Sequence, residues 1–84
     1  MIFDFRCKDT RELWEAGRNR RFASIAKHAL AKLQMLNRAA NLNDLRVPPG
    51  NRLEALKGDR AGQHSIRIND KWRLCFRWTG EGPA

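Results

Sequence analysis

The most regular stretch of this chain runs through its middle. Phe22, Ile25, Ala26, Ala29, Leu30, Leu33, Leu36 and Ala40 recur three and four residues apart, with Lys27, Gln34 and Arg38 on the opposite side. Apolar positions at that spacing share one face of a helix, so a long helix with a single buried stripe is predicted, with Ser24 able to cap its start. His28 lies beside the stripe and reads as a structural residue. Upstream, Asp9 and Glu12 stand three apart, as an acidic N-cap and its capping-box partner would, and predict a shorter helix through Leu13, Trp14 and Ala16 that stops at Gly17. Residues 2–5 alternate apolar and polar and predict a short first strand.

Past residue 63 the period changes to two. Residues 64–68 and 72–78 read as the arms of a hairpin turning at Asn69 and Asp70. Successive side chains on a strand point to opposite faces. Ile66, Ile68, Trp72, Leu74, Phe76 and Trp78 then share an apolar face that packs on the long helix, which makes Trp72 and Trp78 packing residues. Ser65, Arg67, Arg73, Cys75 and Arg77 share the other face. Between the helices and the hairpin, residues 41–51 break the helical period. Pro48, Pro49 and Gly50 exclude helix continuation there, so this stretch is a connecting loop within one domain. Leu53 and Leu56 flank a short extended piece, and Gly58 and Gly62 mark a turn after it. Helices on one side of a small antiparallel sheet, with a basic face left on the other, is an α+β layer architecture.

Length and charge narrow the function. With 84 residues there is room for one domain with a modest core, burying only about 60% of the surface of the unfolded chain. Lys and Arg number 17 against 9 Asp and Glu, for a net charge of +8, and twelve of the cations are arginines. The planar guanidinium fork matches phosphate oxygens, so nucleic acid is the expected partner rather than an anionic membrane. No run approaches the ~20 apolar residues that span a bilayer, and the first residues lack the apolar stretch of a signal peptide; a cytoplasmic protein is expected. Cys7 and Cys75 do not form a closely spaced ligand pair, so neither a disulfide framework nor a metal site is expected.

A basic sheet face is equally compatible with simple solvation. The distinction comes from one nearly continuous block, RVPPGNRLEALKGDR at residues 46–60 and GQHSIRINDKWRLCFRW at residues 62–78. This block resembles the signature of the HigB-type toxins, the proteic killer family within the RelE-like superfamily. The resemblance implies a single RelE-like domain over residues 1–84, with two N-terminal helices packed on a small antiparallel sheet. It also implies the toxin of a type II toxin–antitoxin pair, an endoribonuclease (mRNA interferase) that enters the ribosomal A site and cuts mRNA without a metal or other cofactor. The implied partners are mRNA, the ribosome and a helix-turn-helix, HigA-like antitoxin, with operator DNA reached only through the antitoxin complex.

In the implied chemistry a ribose 2′-hydroxyl attacks the adjacent phosphate, which needs a base, cations on the crowded phosphate and an acid for the leaving oxygen. Carried over by position, Lys57 holds the phosphate or shares in proton transfer, and Arg73 stabilises the transition state by bidentate contacts. Glu54 is the candidate base, standing where some relatives have a histidine. Arg52, Arg60, Arg67 and Arg77 are candidate RNA contacts. His64 reads first as a partly buried strand-end residue, and Cys75 lacks an adjacent histidine to activate it.

One departure bears on activity. The family's further strand, which ends in a Tyr-His pair, has no counterpart in the closing residues 79–84. Three readings stay open: a shortened or attenuated toxin, substitution by Glu54 or His64, or slower catalysis by electrostatics alone. The same departure predicts an exposed sheet edge. It also keeps alive a rival of another class, a non-catalytic module that binds RNA, the ribosome or the antitoxin.

Overall fold

Gly17 ends the first helix as its sequence position predicts. In the computed structural model, which describes residues 2, 5, 7–79 and 82–84, helix α1 covers Lys8–Ala16, and Gly17 takes a left-handed φ of 77°. Its N–H donates to the Leu13 carbonyl at 2.9 Å, closing the last turn. The start differs from expectation. Cys7, not Asp9, is the N-cap residue, and no side chain caps the helix. The Asp9 carboxylate instead accepts from Asn19 at 3.2 Å and from Arg21 at 3.3 Å, so a tertiary contact with the following loop replaces the local cap. The strand expected at residues 2–5 falls partly outside the described residues; Ile2 is buried, and its N–H donates to the Asn37 side chain at 3.0 Å.

Helix α2 covers Ala26–Arg38 and buries Ala29, Leu33 and Leu36, with Ile25 buried at its start. Ser24 is exposed and does not cap it; Ile25 is the N-cap residue. Ala39 is already extended (φ −64°, ψ 128°), so Ala39 rather than Ala40 turns into the core. His28 is exposed on the helix surface, and the structural role expected of it is not found.

The connecting loop is tightly organised. A 3₁₀ turn at Leu42–Arg46 is held by a reciprocal capping box between Asn41 and Asp44, and a second turn covers Pro49–Asn51. Asn51 is fully buried. Its carbonyl accepts from the Lys32 ammonium, and its amide donates to the Leu45 carbonyl at 3.2 Å. A buried acceptor stripped of its donor costs about 1–3 kcal/mol. Asn51→Ala is therefore expected to lower the urea midpoint by that amount of stability, at unchanged m-value.

Among the described residues four antiparallel strands follow in spatial order: β1 (Glu54–Ala55), β2 (Gln63–Arg67), β3 (Arg73–Thr79) and β4 (Gly82–Pro83). In the β2–β3 hairpin Ser65 faces Cys75 and Arg67 faces Arg73, which sets the alternation expected from sequence. The last strand is a departure. Residues 82–84 turn back along β3, with Trp78 opposite Pro83 and Thr79 opposite Gly82, while Arg77 and Ala84 exchange backbone hydrogen bonds at 3.0 Å. The edge expected to be exposed is thus covered as far as Arg77. Gly82, the first residue of β4, has φ 119°, a backbone region open essentially to glycine alone. Leu13, Ile25, Leu33, Leu36, Leu45, Ile66 and Phe76 form the centre of the core between helices and sheet. The fold is α+β: two helices packed on one face of a small antiparallel sheet.

Candidate functional site

The face of the sheet opposite the core is organised by Arg73. Its guanidinium reaches from β3 across β2: Nε donates to Ser65 Oγ at 2.8 Å, and Nη2 donates to the Ser65 carbonyl at 3.3 Å and to the Arg52 carbonyl at 2.5 Å. The Arg52 carbonyl is available because Arg52 leaves the Pro49–Asn51 turn in the left-handed region, at φ 46° and ψ 57°. The Glu54 carboxylate lies 4.0 Å from Nη2. Among the described residues, Nη1 of Arg73 takes no hydrogen-bond partner. The arginine is thus anchored on one side and retains donors for an anion on the other. Ser65 has the parity of the open face but is only 1% exposed, because Arg73 lies over it.

Glu54 comes to the site through strand register. It pairs with Ser65, which pairs with Cys75, so the three form a row across β1, β2 and β3. Glu54 and Arg73 have 62% and 31% side-chain exposure, so their pair contributes little to stability and leaves the carboxylate accessible. Lys57 opens the 3₁₀ turn at Gly58–Arg60 with its side chain exposed, and makes none of the contacts that join Arg73 to Glu54. Its carbonyl accepts from the Arg60 N–H at 3.3 Å.

The other cations divide between two surroundings. Arg60 and Arg77, with Arg73, Gln63 and Cys75, form the polar side of a cavity of about 300 Å³ whose other walls are apolar, Leu33, Leu36 and Phe76 among them. In it Arg60 Nη1 approaches Cys75 Sγ at 3.8 Å, and Arg77 Nε is buried without a partner among the described residues. Arg67, opposite Arg73, forms an ion pair with Asp70 of the hairpin turn. The Arg52 side chain is exposed, and this residue serves the site through its backbone. His64 has the core parity: it faces Phe76 across the strands and stacks on its ring at 6.2 Å between centroids. Of the two residues considered as substitutes for the family's histidine, only Glu54 shares a face with Arg73.

Two features were not legible in sequence. Ser65 positions Arg73 only because the register sets the two strands in step. Trp72, expected to be a packing residue, meets Phe22 edge to face at 5.8 Å yet remains 38% exposed. Cys7 borders both this surface and a neighbouring cleft. Its thiol is held below the usual cysteine value by a hydrogen bond with the Thr10 side chain, against the opposing effect of burial. Among the described residues no three His, Cys, Asp or Glu side chains cluster to hold a metal ion, and no helix is long and apolar enough to cross a membrane.

Comparison with known proteins bears on this arrangement. Residues 3–83 match the family described as RelE-like toxin of type II toxin-antitoxin system HigB. The chain is 39% identical over 80 residues to Toxin HigB-1 of Vibrio cholerae, an alignment covering 93% of this chain and 84% of that protein. It is also 38% identical over 56 residues to an uncharacterized protein of Haemophilus influenzae, covering 67% of this chain and 55% of that one.

Proposed function

This chain belongs to the HigB family of RelE-like toxins of type II toxin–antitoxin systems, and from that premise we propose that it is an endoribonuclease that cuts mRNA in the ribosomal A site. The observation that carries the reading is the anchored Arg73, with Glu54 4.0 Å from its Nη2 atom and Arg60 and Arg77 on the same cavity. RNA brings its own nucleophile. Glu54 takes the proton of the ribose 2′-hydroxyl as its oxygen bonds to phosphorus, the bond to the 5′-oxygen breaks, and that oxygen takes a proton from solvent. Arg73, with Lys57 on the neighbouring turn, holds the charge that gathers on the phosphate oxygens, which is where preorganised cations lower a barrier most. Neither metal nor cofactor is needed for these steps. Arg52, Arg60, Arg67 and Arg77 position the RNA backbone. A helix-turn-helix, HigA-like antitoxin neutralises the toxin in the cytoplasm, and operator DNA is bound only through that complex.

The test is translation-coupled cleavage of a reporter mRNA by the purified chain. Wild type cleaves. Glu54→Gln, which keeps the shape and removes the base, is expected to be about 10²–10⁴-fold slower, and Lys57→Ala about 10²-fold slower. Equal cleavage by all three would overturn the site. A second reading, a non-catalytic RNA-binding module, draws on His64 lying on the face opposite Arg73, which leaves Glu54 without a histidine partner. RNA binding without cleavage by wild type is its outcome.

A further inference from the structure

The functional reading leaves two features unused: the cations Arg18, Arg20 and Arg21 in the loop between α1 and α2, and the exposed indole of Trp72. The fold brings Arg21 of that loop and Trp72 to the same cleft. Phe22, at the end of that loop, meets the Trp72 ring edge to face, with an interplanar angle of 85°, and the Arg21 guanidinium lies 5.5 Å from the Phe22 centroid. Between loop and hairpin is a cleft of about 130 Å³ with Ile25 and Ile68 among its apolar walls and Arg21, Trp72 and Arg73 around them. Arg73 borders this cleft and the larger cavity alike.

The hairpin turn fixes the backbone from which the indole projects. The Trp72 backbone N–H donates to Asn69 Oδ1 at 2.9 Å, and its carbonyl accepts from the N–H groups of Ile68 and Asn69 at 2.9 and 3.2 Å. An exposed aromatic ring in a cleft that also holds a guanidinium group is the chemistry that binds single-stranded nucleic acid, since every base has a π-face and every linkage a phosphate. Among the described residues no carboxylate lines the cleft. Two carboxylates of the surrounding segments are engaged, Asp9 by Arg21 in an exposed pair at 3.3 Å and Asp70 by Arg67.

We propose that this cleft is a nucleobase-stacking subsite, with Trp72 as its platform, that takes an unpaired base of single-stranded RNA. The proposal rests on the RNA-binding part of the functional reading and extends it to a second contact on the same strand. The cationic rim favours a polyanion over an apolar helix of a protein partner.

Equilibrium binding of a labelled, unstructured RNA octamer to the full chain tests this, with an abasic octamer carrying the same phosphates as the control. Trp72→Ala is expected to weaken the intact octamer by about tenfold, the effect of losing one stacked base, while Trp72→Phe stays within about threefold of wild type. The abasic octamer binds wild type and Trp72→Ala alike. Where Trp72→Ala does not fold, Trp72→Leu keeps the apolar contact with Phe22 and removes the π-face. Equal loss on both octamers would overturn stacking. So would weakened antitoxin binding with RNA binding intact, which would assign the cleft to a protein partner. Failure of wild type to bind either octamer overturns this proposal and the RNA reading together, whereas binding and stacking without mRNA cleavage leaves the subsite standing and sinks only the enzymatic assignment.

Discussion

Arg73→Ala is expected to slow single-turnover mRNA cleavage by about 10²–10³-fold, the usual consequence of removing one preorganised donor from a developing oxyanion. The geometry explains why no neighbour compensates. Three contacts, to Ser65 Oγ and to the carbonyls of Ser65 and Arg52, aim this guanidinium. Arg67 is drawn to Asp70 and Arg60 lies against Cys75. Arg73→Lys should recover only part of the rate. A lysine retains the charge, but its compact ammonium cannot grip Ser65 and the Arg52 carbonyl while presenting a fork to phosphate. The loss must appear in cleavage out of proportion to stability, because Arg73 is half-buried and its removal opens no apolar void. Thermal melts beside the cleavage rates make the check. An alanine variant within threefold of wild-type rate, or one that loses activity only in step with its melting temperature, would remove Arg73 from the chemistry.

Ile66→Ala should produce the largest loss of stability. Ile66 is completely buried, on the face of β2 that meets the helices, opposite Leu74. Truncating a buried isoleucine removes its transfer free energy and leaves a cavity, at about 2–5 kcal/mol. A domain of this size loses roughly 4–8 °C of melting temperature per kcal/mol, and folded proteins carry only about 5–15 kcal/mol in all. Ile66→Val, which removes a single methylene, is expected to cost about 0.5–1.5 kcal/mol. Calorimetry on the pair separates a core position from an adaptable one, and an alanine variant that melts within a few degrees of wild type would show that Ile66 is not central to the core.

Much of the fold was legible because the relevant signals are local. A period near 3.6 over residues 25–36 and a period of two over residues 64–78 are consequences of backbone geometry alone, and they correctly placed the long helix, the hairpin and the parity of Arg73 against Phe76. The glycine at position 17 stopped its helix for an equally local reason. Helix starts were read less well. Asp9 and Ser24 have the chemistry of caps, yet Asp9 was claimed by Asn19 and Arg21, and the chain entered α2 one residue past Ser24. Capping is worth about 1 kcal/mol, small enough for a tertiary contact to override. The strand at residues 82–83 escaped notice because two residues are too few to show a period.

By itself the sequence determined which residues carry charge and which alternate into the core, and its block of residues 46–78 pointed to the family that the comparisons bear out. It could name Lys57, Arg73 and Glu54 but not say which of them meet. That was decided by strand register and by the left-handed turn at Arg52, which bring Glu54 to 4.0 Å from Arg73, aim the guanidinium over Ser65 and leave Lys57 on a separate turn. Tertiary structure likewise turned Trp72 from a packing residue into an exposed ring beside Arg21 and Phe22. The physical reason is the same in each case: periodicity assigns a side chain to a face, and only the pairing of segments distant in the chain sets its distance from another.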